Sequence, residues 1–257
     1  MVDSLSFWSQ RLRAHGHTGW SDPIIYAYDQ CERLALIRSV VCRQSTRGNA
    51  LDFGCGTGDF SKLLLSLGFR VCGYDPFVKP KIRSRDFVYA SEYDQIPFRN
   101  HTADLALAVT TLDHILDEQD LQEALTVIRS CLKQGAPFYM IEYALDSAHE
   151  RSKYALSNDY QAFRTSFNWA ALLKQTSFDV LDITQVSHPL ISPSTGYIAF
   201  SRKLLVRFRR RFPTLPLARV WYDPILGRQA ARLLQKVSPS SLSNGSSPLK
   251  LIHSQAN

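Results

Sequence analysis

Apolar and polar positions along the chain predict two helical segments followed by a long alternation of strands and helices. Residues 3–16 and 29–43 carry apolar residues at helical spacing, with Leu34, Ile37 and Val41 following i, i+3, i+7. Between them, His17 to Pro23 reads as a turn-rich loop. Ala50 to Phe53 is a short apolar run ending in a glycine cluster, which predicts a buried strand. Asp59 to Leu67 predicts a helix with Leu63, Leu64 and Leu67 inward and Gly68 as its stop. Further strands are expected at 69–74, 87–89, 103–109, 137–141, 178–183 and 196–200. The strongest helix falls between them: Asp117 caps it, Leu121, Ala124, Leu125, Ile128 and Leu132 form one stripe, and Gly135 ends it. Another helix is expected over about 167–174. This alternation predicts an α/β fold with a doubly wound, mostly parallel sheet covered on both faces. No helix separates the last two strands, so the last is expected to be antiparallel.

The pattern changes at Arg202. Residues 202–236 hold ten bases against a single acid, Asp223, a local charge of +9 within a chain whose total is +7. The body is therefore slightly acidic, which weakens any general inference of nucleic-acid binding from the basic total. Leu204, Leu205, Val206, Phe208 and Phe212 intersperse the arginines, so an anionic membrane or a nucleic acid is a conceivable contact for this segment. Residues 238–257 are serine-rich, contain Gly245 and Pro248, and are expected to form a disordered tail. The five cysteines are scattered and form no CxxC pair, so neither a metal site nor a disulfide framework is expected. With no long apolar run, the chain is expected to be soluble and cytoplasmic.

The chemistry concentrates in Asp52-Phe-Gly54-Cys55-Gly56-Thr-Gly58, which follows a strand and opens a helix. Glycines there let backbone approach a ligand closely and adopt positive φ at no steric cost. The spacing is GxGxG with Asp59 next, where a dinucleotide fingerprint calls for a small residue. Asp75 ends the following strand, 21 residues after Gly54, where an acid can accept both ribose hydroxyls of an adenosine cofactor.

On these residues the chain resembles the class I, Rossmann-like S-adenosylmethionine-dependent methyltransferases, particularly those acting on small molecules. Ala50 to Gly58 is similar to that family's first motif and Gly73-Tyr74-Asp75-Pro76 to its ribose-binding segment. Ser91 to Phe98 resembles the adenine-binding segment. The resemblance implies that Glu92 accepts from the adenine amino group and that the Tyr93 backbone meets the ring, although Tyr93 stands where the family has a small residue. Ala103 to Ile115 is similar to the fourth-strand motif, whose end, with Val109, lies beside the methionine moiety. Asp52 is expected to fix the loop or reach the methionine ammonium, and Tyr28 to donate to the cofactor carboxylate. The implied organisation is an N-terminal helical lid over 1–47, a methyltransferase core over 48–202, a basic helical extension over 203–237 and the tail. The resemblance implies S-adenosylmethionine as the cofactor, without a metal, and S-adenosylhomocysteine as the product.

Methyl transfer asks for alignment of acceptor, methyl and sulfur, with a base only where the acceptor must lose a proton. His114, just after the fourth strand, is the candidate base, since an imidazole changes charge near neutral pH. Glu142, Tyr143 and His149 follow the fifth strand, on the sheet edge where α/β ligands bind, and are candidate catalytic or substrate contacts. A small-molecule methyl acceptor fits this set best, in a monomer or homodimer. An RNA or protein methyltransferase gripping through 202–236, and a nonenzymatic cofactor-binding scaffold, are the alternatives.

Overall fold

A computed structural model of the chain describes residues 4–19, 23–45, 47–146, 161–186 and 249–257. The chain divides into two compact units, one of residues 1–18, 40–186 and 248–257, the other of residues 19–39 and 187–247. The described part of the second unit is Gly19 and most of helix α2 (Pro23–Val41), which starts six residues before the expected helix. Pro23 opens it, a position where the missing N–H costs nothing. Within that helix Arg33 pairs with Asp29 at 2.7 Å, both side chains buried.

The first unit carries the sheet. Its strands are β1 (Asn49–Phe53), β2 (Arg70–Tyr74), β3 (Phe87–Ala90), β4 (Leu105–Val109), β5 (Pro137–Leu145), the two-residue β6 (Arg164–Thr165), β7 (Phe178–Gln185) and β8 (Leu249–Ala256). The order is β3-β2-β1-β4-β5-β8-β7, with β6 pairing β5 to one side. β1 to β5 run parallel to one another, and β8 lies antiparallel between β5 and β7. The order reverses between β1 and β4, so a crevice is expected at the C-terminal ends of those two strands. Every residue of β4 is buried, as a strand covered on both faces requires.

Helix α1 (Ser4–His15) precedes α2, and α3 (Asp59–Ser66) follows the glycine loop. Helix α4 (Glu118–Cys131) has the expected cap, with Asp117 accepting from the N–H groups of Gln119 and Asp120. Leu121, Ala124, Leu125 and Ile128 on its inner face are fully buried in one core with Leu51, Phe53 and Phe138. The helix stops at Cys131, and Gly135, at φ 77°, serves the turn into β5. Helix α5 (Ser166–Gln175) is capped by Thr165 and seats Trp169, whose indole N–H donates to the Tyr143 carbonyl at 2.8 Å.

Two expectations about the C-terminal part are corrected. The antiparallel strand comes from residues 249–256, inside the stretch expected to be a disordered tail, and it fills the position between β5 and β7. The serine-rich composition that suggests disorder is confined to 238–248. The run Leu249-Lys-Leu-Ile252 beyond Pro248 is the local strand signal. Leu251, Ile252, Ser254 and Ala256 are buried, and the ammonium of Lys250 meets Asp146 at 2.6 Å. The core therefore draws a strand from beyond the expected boundary at residue 202. The expected strand at 196–200 and the basic segment 202–236 lie outside the described residues.

Candidate cofactor and methyl-transfer site

The expected cofactor residues of the first unit converge on the C-terminal edge of the parallel strands. The glycine loop is fastened to β2, since the N–H groups of Gly54 and Cys55 both donate to the Tyr74 carbonyl, at 2.7 and 2.9 Å. Gly54, Gly56 and Gly58 all have positive φ, of 76°, 50° and 82°. A Cβ on Gly54 would fall 2.1 Å from the Thr111 side chain, and one on Gly58 would fall 2.6 Å from Ile82 and 2.9 Å from Pro80. Both conformation and space thus require glycine at these two positions. At Gly56 the nearest atom to such a Cβ is the Thr18 hydroxyl, at 3.3 Å, so the segment after α1 overlies the loop.

Asp75 is buried and holds the loop from the other side. Its Oδ2 accepts from the Gly56 N–H at 2.9 Å, and its Oδ1 accepts from those of Phe77 and Val78 at 2.9 and 2.8 Å. Burial raises the Asp75 carboxyl above its ordinary pKa, and these three donors oppose the rise. A carboxylate offers about four acceptor positions. Three are occupied, so Asp75 has room for one ribose hydroxyl, and a second requires exchange with a backbone N–H. Pro76 is exposed beside it.

Asp52 faces the helix that follows the loop. Ser61 of α3 donates to its Oδ2 at 2.5 Å, which makes Asp52 a brace of the loop. Burial pushes its pKa up to about 7, with Ser61 opposing and Asp75 adding to the rise. A carboxyl that is neutral when folded binds a proton that the unfolded chain has already lost, so its stability contribution is full below about pH 4 and fades as pH rises through 7. Without cofactor, Asp52→Asn is therefore expected to melt higher than wild type at pH 8, by about 2–4 kcal/mol in stability, and no higher at pH 4. Thermal melts at the two pH values check this, and an equal change at both would contradict it. Cys55 is buried, and burial drives its thiol pKa far upward, so it is no nucleophile.

The turn after β3 carries an aromatic wall. Tyr93 stacks on Tyr74 and Phe53 with ring centroids 5.1 and 6.1 Å apart. Its bulk, at a position the family fills with a small residue, is absorbed by this packing. Glu92 is exposed at the head of the short 3-10 turn over Tyr93–Gln95, with its side chain making no cap hydrogen bond.

The fourth strand ends in a turn of unusual conformation. Val109 closes β4, and Thr110 follows with φ 47°, uncommon for a β-branched residue. The Glu142 carboxyl holds this turn, with Oε1 accepting from the N–H groups of Thr111 and Leu112, both at 3.0 Å, and Oε2 from that of Asp113 at 3.3 Å. Glu142 is fully buried, and burial, reinforced by the nearby Asp113 charge, raises its pKa well above the usual carboxyl value. The expectation that Glu142 contacts substrate is corrected: it is fully buried with both oxygens on the 111–113 backbone, where it acts as a support. Thr110→Gly is expected to stabilise the fold by about 1 kcal/mol by releasing the strained φ, read as a higher denaturation midpoint. A lower midpoint would show the turn to be unstrained.

His114 sits in the next 3-10 turn, Leu112–His114, with its ring edge-on to Trp8 of α1 at 4.7 Å. Asp113, given no role on sequence grounds, is fully buried beside it. Its Oδ2 accepts from Gln161 Nε2, while its Oδ1 has no hydrogen-bond partner among the described residues. Tyr143 is buried, with its ring edge against Phe163. The side chain of Tyr28 and all of His149 lie outside the described residues. Among the described residues no group of three His, Cys, Asp or Glu side chains is placed to hold a metal, and no helix is long and apolar enough to cross a membrane.

A glycine loop clamped by an acid at the end of the next strand, in a sheet of this order, defines a nucleoside-binding α/β enzyme class. Comparison identifies the member: residues 26–183 match the methyltransferase domain family, and the chain belongs to it, an S-adenosylmethionine-dependent methyltransferase. No curated protein matches by sequence. Among solved structures, the chain is similar to phosphoethanolamine N-methyltransferase 2 of Haemonchus contortus, with TM-score 0.58 and 16% identity over 100% of this chain and 60% of that one. It is also similar to the methyltransferase complexed with the Trm112 activator of Haloferax volcanii, at 0.54 and 14%, covering 100% and 99%. A third likeness is to 1,6-didemethyltoxoflavin-N1-methyltransferase of Burkholderia thailandensis, at 0.53 and 17%, covering 72% and 80%. At such identities these likenesses establish the fold.

Proposed function

We propose that the chain transfers a methyl group to an oxygen or nitrogen of a small-molecule metabolite by in-line displacement, in the cytoplasm. What supports this reading is that the glycine loop, Asp75, Glu92 and His114 each follow the C-terminal end of a parallel strand of one sheet. Two of the three similar structures come from enzymes whose names specify small acceptors.

The residues present fit the cofactor. The loop over 54–58 gives close backbone approach, Asp75 has an acceptor position for the ribose, and Glu92 has an unengaged carboxylate for the adenine amino group. Bound S-adenosylmethionine supplies an electrophilic methyl on a sulfonium, so the chain's own work is placement. His114 takes the acceptor's proton where the acceptor is a hydroxyl or a protonated amine. Trp8 covers that imidazole from the N-terminal side and helps exclude water.

The test is incubation of the purified protein with a metabolite extract and cofactor carrying a deuterated methyl, read by mass spectrometry. A labelled small product is expected. Label confined to RNA or protein would overturn the reading in favour of a macromolecular acceptor, and no label anywhere would favour a binding scaffold.

A further inference from the structure

We propose that the connection from β2 to β3 is a docking ribbon for an anionic lipid surface, carried by Lys79, Lys81, Arg83 and Arg85.

Residues 78–84 join the two strands without helix or turn, and burial alternates along them. Val78 and Pro80 are buried and Ile82 is half-buried, whereas Lys79, Lys81 and Arg83 are exposed, as is Arg85 in the turn that follows. Alternation with period two marks an extended chain, so the three cations from Lys79 to Arg83 share one side at intervals of about 7 Å. The ribbon is fixed along its length. At its start the Phe77 and Val78 N–H groups donate to Asp75, and at its end the Val71 N–H donates to the Asp86 carbonyl at 2.7 Å. Between these ties, Pro80 and Ile82 pack against Gly58 of the glycine loop. The cations therefore stand on a braced backbone beside the cofactor loop.

Their charge is not neutralised locally. Lys79 lies over the Tyr89 ring at 5.7 Å, and among the described residues Lys81, Arg83 and Arg85 form no ion pair. With Asp86 as its one acid, the stretch 79–86 carries +3. From Lys79 to Arg83 the row is about 13 Å long, which outreaches a single phosphate and calls for an extended anion. Phe77, 39% exposed at the head of the row, selects among such anions. Cations with an exposed apolar ring beside them match the boundary of an anionic bilayer, where the ring enters the headgroup layer and the charges meet lipid phosphates. The sequence repeats this combination at 202–212, where Leu and Phe intersperse arginines. A nucleic-acid strand calls for several aromatic platforms along the cations, whereas the Tyr89 ring is covered by Lys79 and its hydroxyl donates to the Asp75 carbonyl at 2.7 Å.

The experiment is sedimentation of the full chain with vesicles of equal parts phosphatidylcholine and phosphatidylserine, against vesicles of phosphatidylcholine alone. Wild type is expected to bind the mixed vesicles, to release them in high salt, and to ignore the neutral ones. Each cation near such a surface contributes about fivefold in affinity, so the triple variant Lys81→Gln, Arg83→Gln, Arg85→Gln is expected to bind about 100-fold more weakly. Its affinity for S-adenosylhomocysteine is expected to be unchanged. The charge-keeping variant Lys81→Arg, Arg83→Lys, Arg85→Lys is expected to bind vesicles as wild type does, and a loss there would overturn the proposal. Wild type that ignores the mixed vesicles would overturn it, as would a glutamine variant that binds them equally well, which would place lipid binding elsewhere in the chain. Tighter binding of a single-stranded RNA oligonucleotide than of the mixed vesicles, weakened in the glutamine variant, would overturn it in favour of a nucleic acid.

Discussion

Asp75→Ala is expected to lower affinity for S-adenosylhomocysteine at least about 100-fold, as read by calorimetry. A hydrogen bond to a charged acceptor contributes about 1.5–3 kcal/mol, and Asp75 has one acceptor position for the ribose. The same substitution strips the Gly56, Phe77 and Val78 N–H groups of their acceptor, so the loop and the segment after β2 lose their common anchor. Together these effects exceed the roughly 2.7 kcal/mol that a 100-fold change represents. Asp75→Asn keeps an acceptor on one side and is expected to lose less. An alanine variant that binds within threefold of wild type would show that Asp75 only organises backbone.

Glu142→Ala is expected to be the most damaging single change to stability, costing about 3–5 kcal/mol. It leaves three N–H donors in the 111–113 turn without an acceptor at a site closed to water. Since a typical domain has only about 5–15 kcal/mol in total, the melting temperature should drop steeply. Glu142→Gln, which retains an oxygen toward Thr111 and Leu112, should lose about 1 kcal/mol. Chemical denaturation of the three proteins checks the order. An alanine variant as stable as wild type would mean that water or a rearranged turn satisfies those donors.

The contrast between Asp75 and Glu142 shows where local pattern carries information. The place of Asp75 beside the loop was legible because it depends on features close in the chain: a strand, a glycine cluster, and the end of the next strand. The α4 stripe and its Asp117 cap were legible for the same reason. Glu142 stands at the correct sheet edge, but its carboxyl is taken up by the backbone of 111–113, about thirty residues away, which local spacing does not reveal. Asp113 carries no local signal, since its partners Gln161 and Glu142 lie 48 and 29 residues away. The last strand is a similar case. Leu249 to Ala256 is short and follows a serine-rich stretch, and only pairing on both sides, with β5 and β7, makes it a strand.

Two of the raised acids bear on the cofactor as well as the fold. Asp52 and Asp75 are both held above their ordinary pKa by burial, in contact with the loop that meets the ligand. A cationic cofactor favours their ionised forms. Affinity is therefore expected to rise as pH increases from about 6 to 8, while the stability of the cofactor-free protein falls over the same range. A pH series of binding isotherms would show it, and a flat series would separate these acids from the ligand's charge.

The central claim is that the backbone over 52–58 and the Asp75 carboxylate together grip an adenosyl group. Calorimetric titration of the wild-type protein with S-adenosylhomocysteine tests it most directly. Saturable binding of one molecule per chain is predicted, well below about 1 mM, the concentration at which binding is worth only about 4 kcal/mol. No saturation by that concentration, with uptake of a nicotinamide dinucleotide instead, would contradict it.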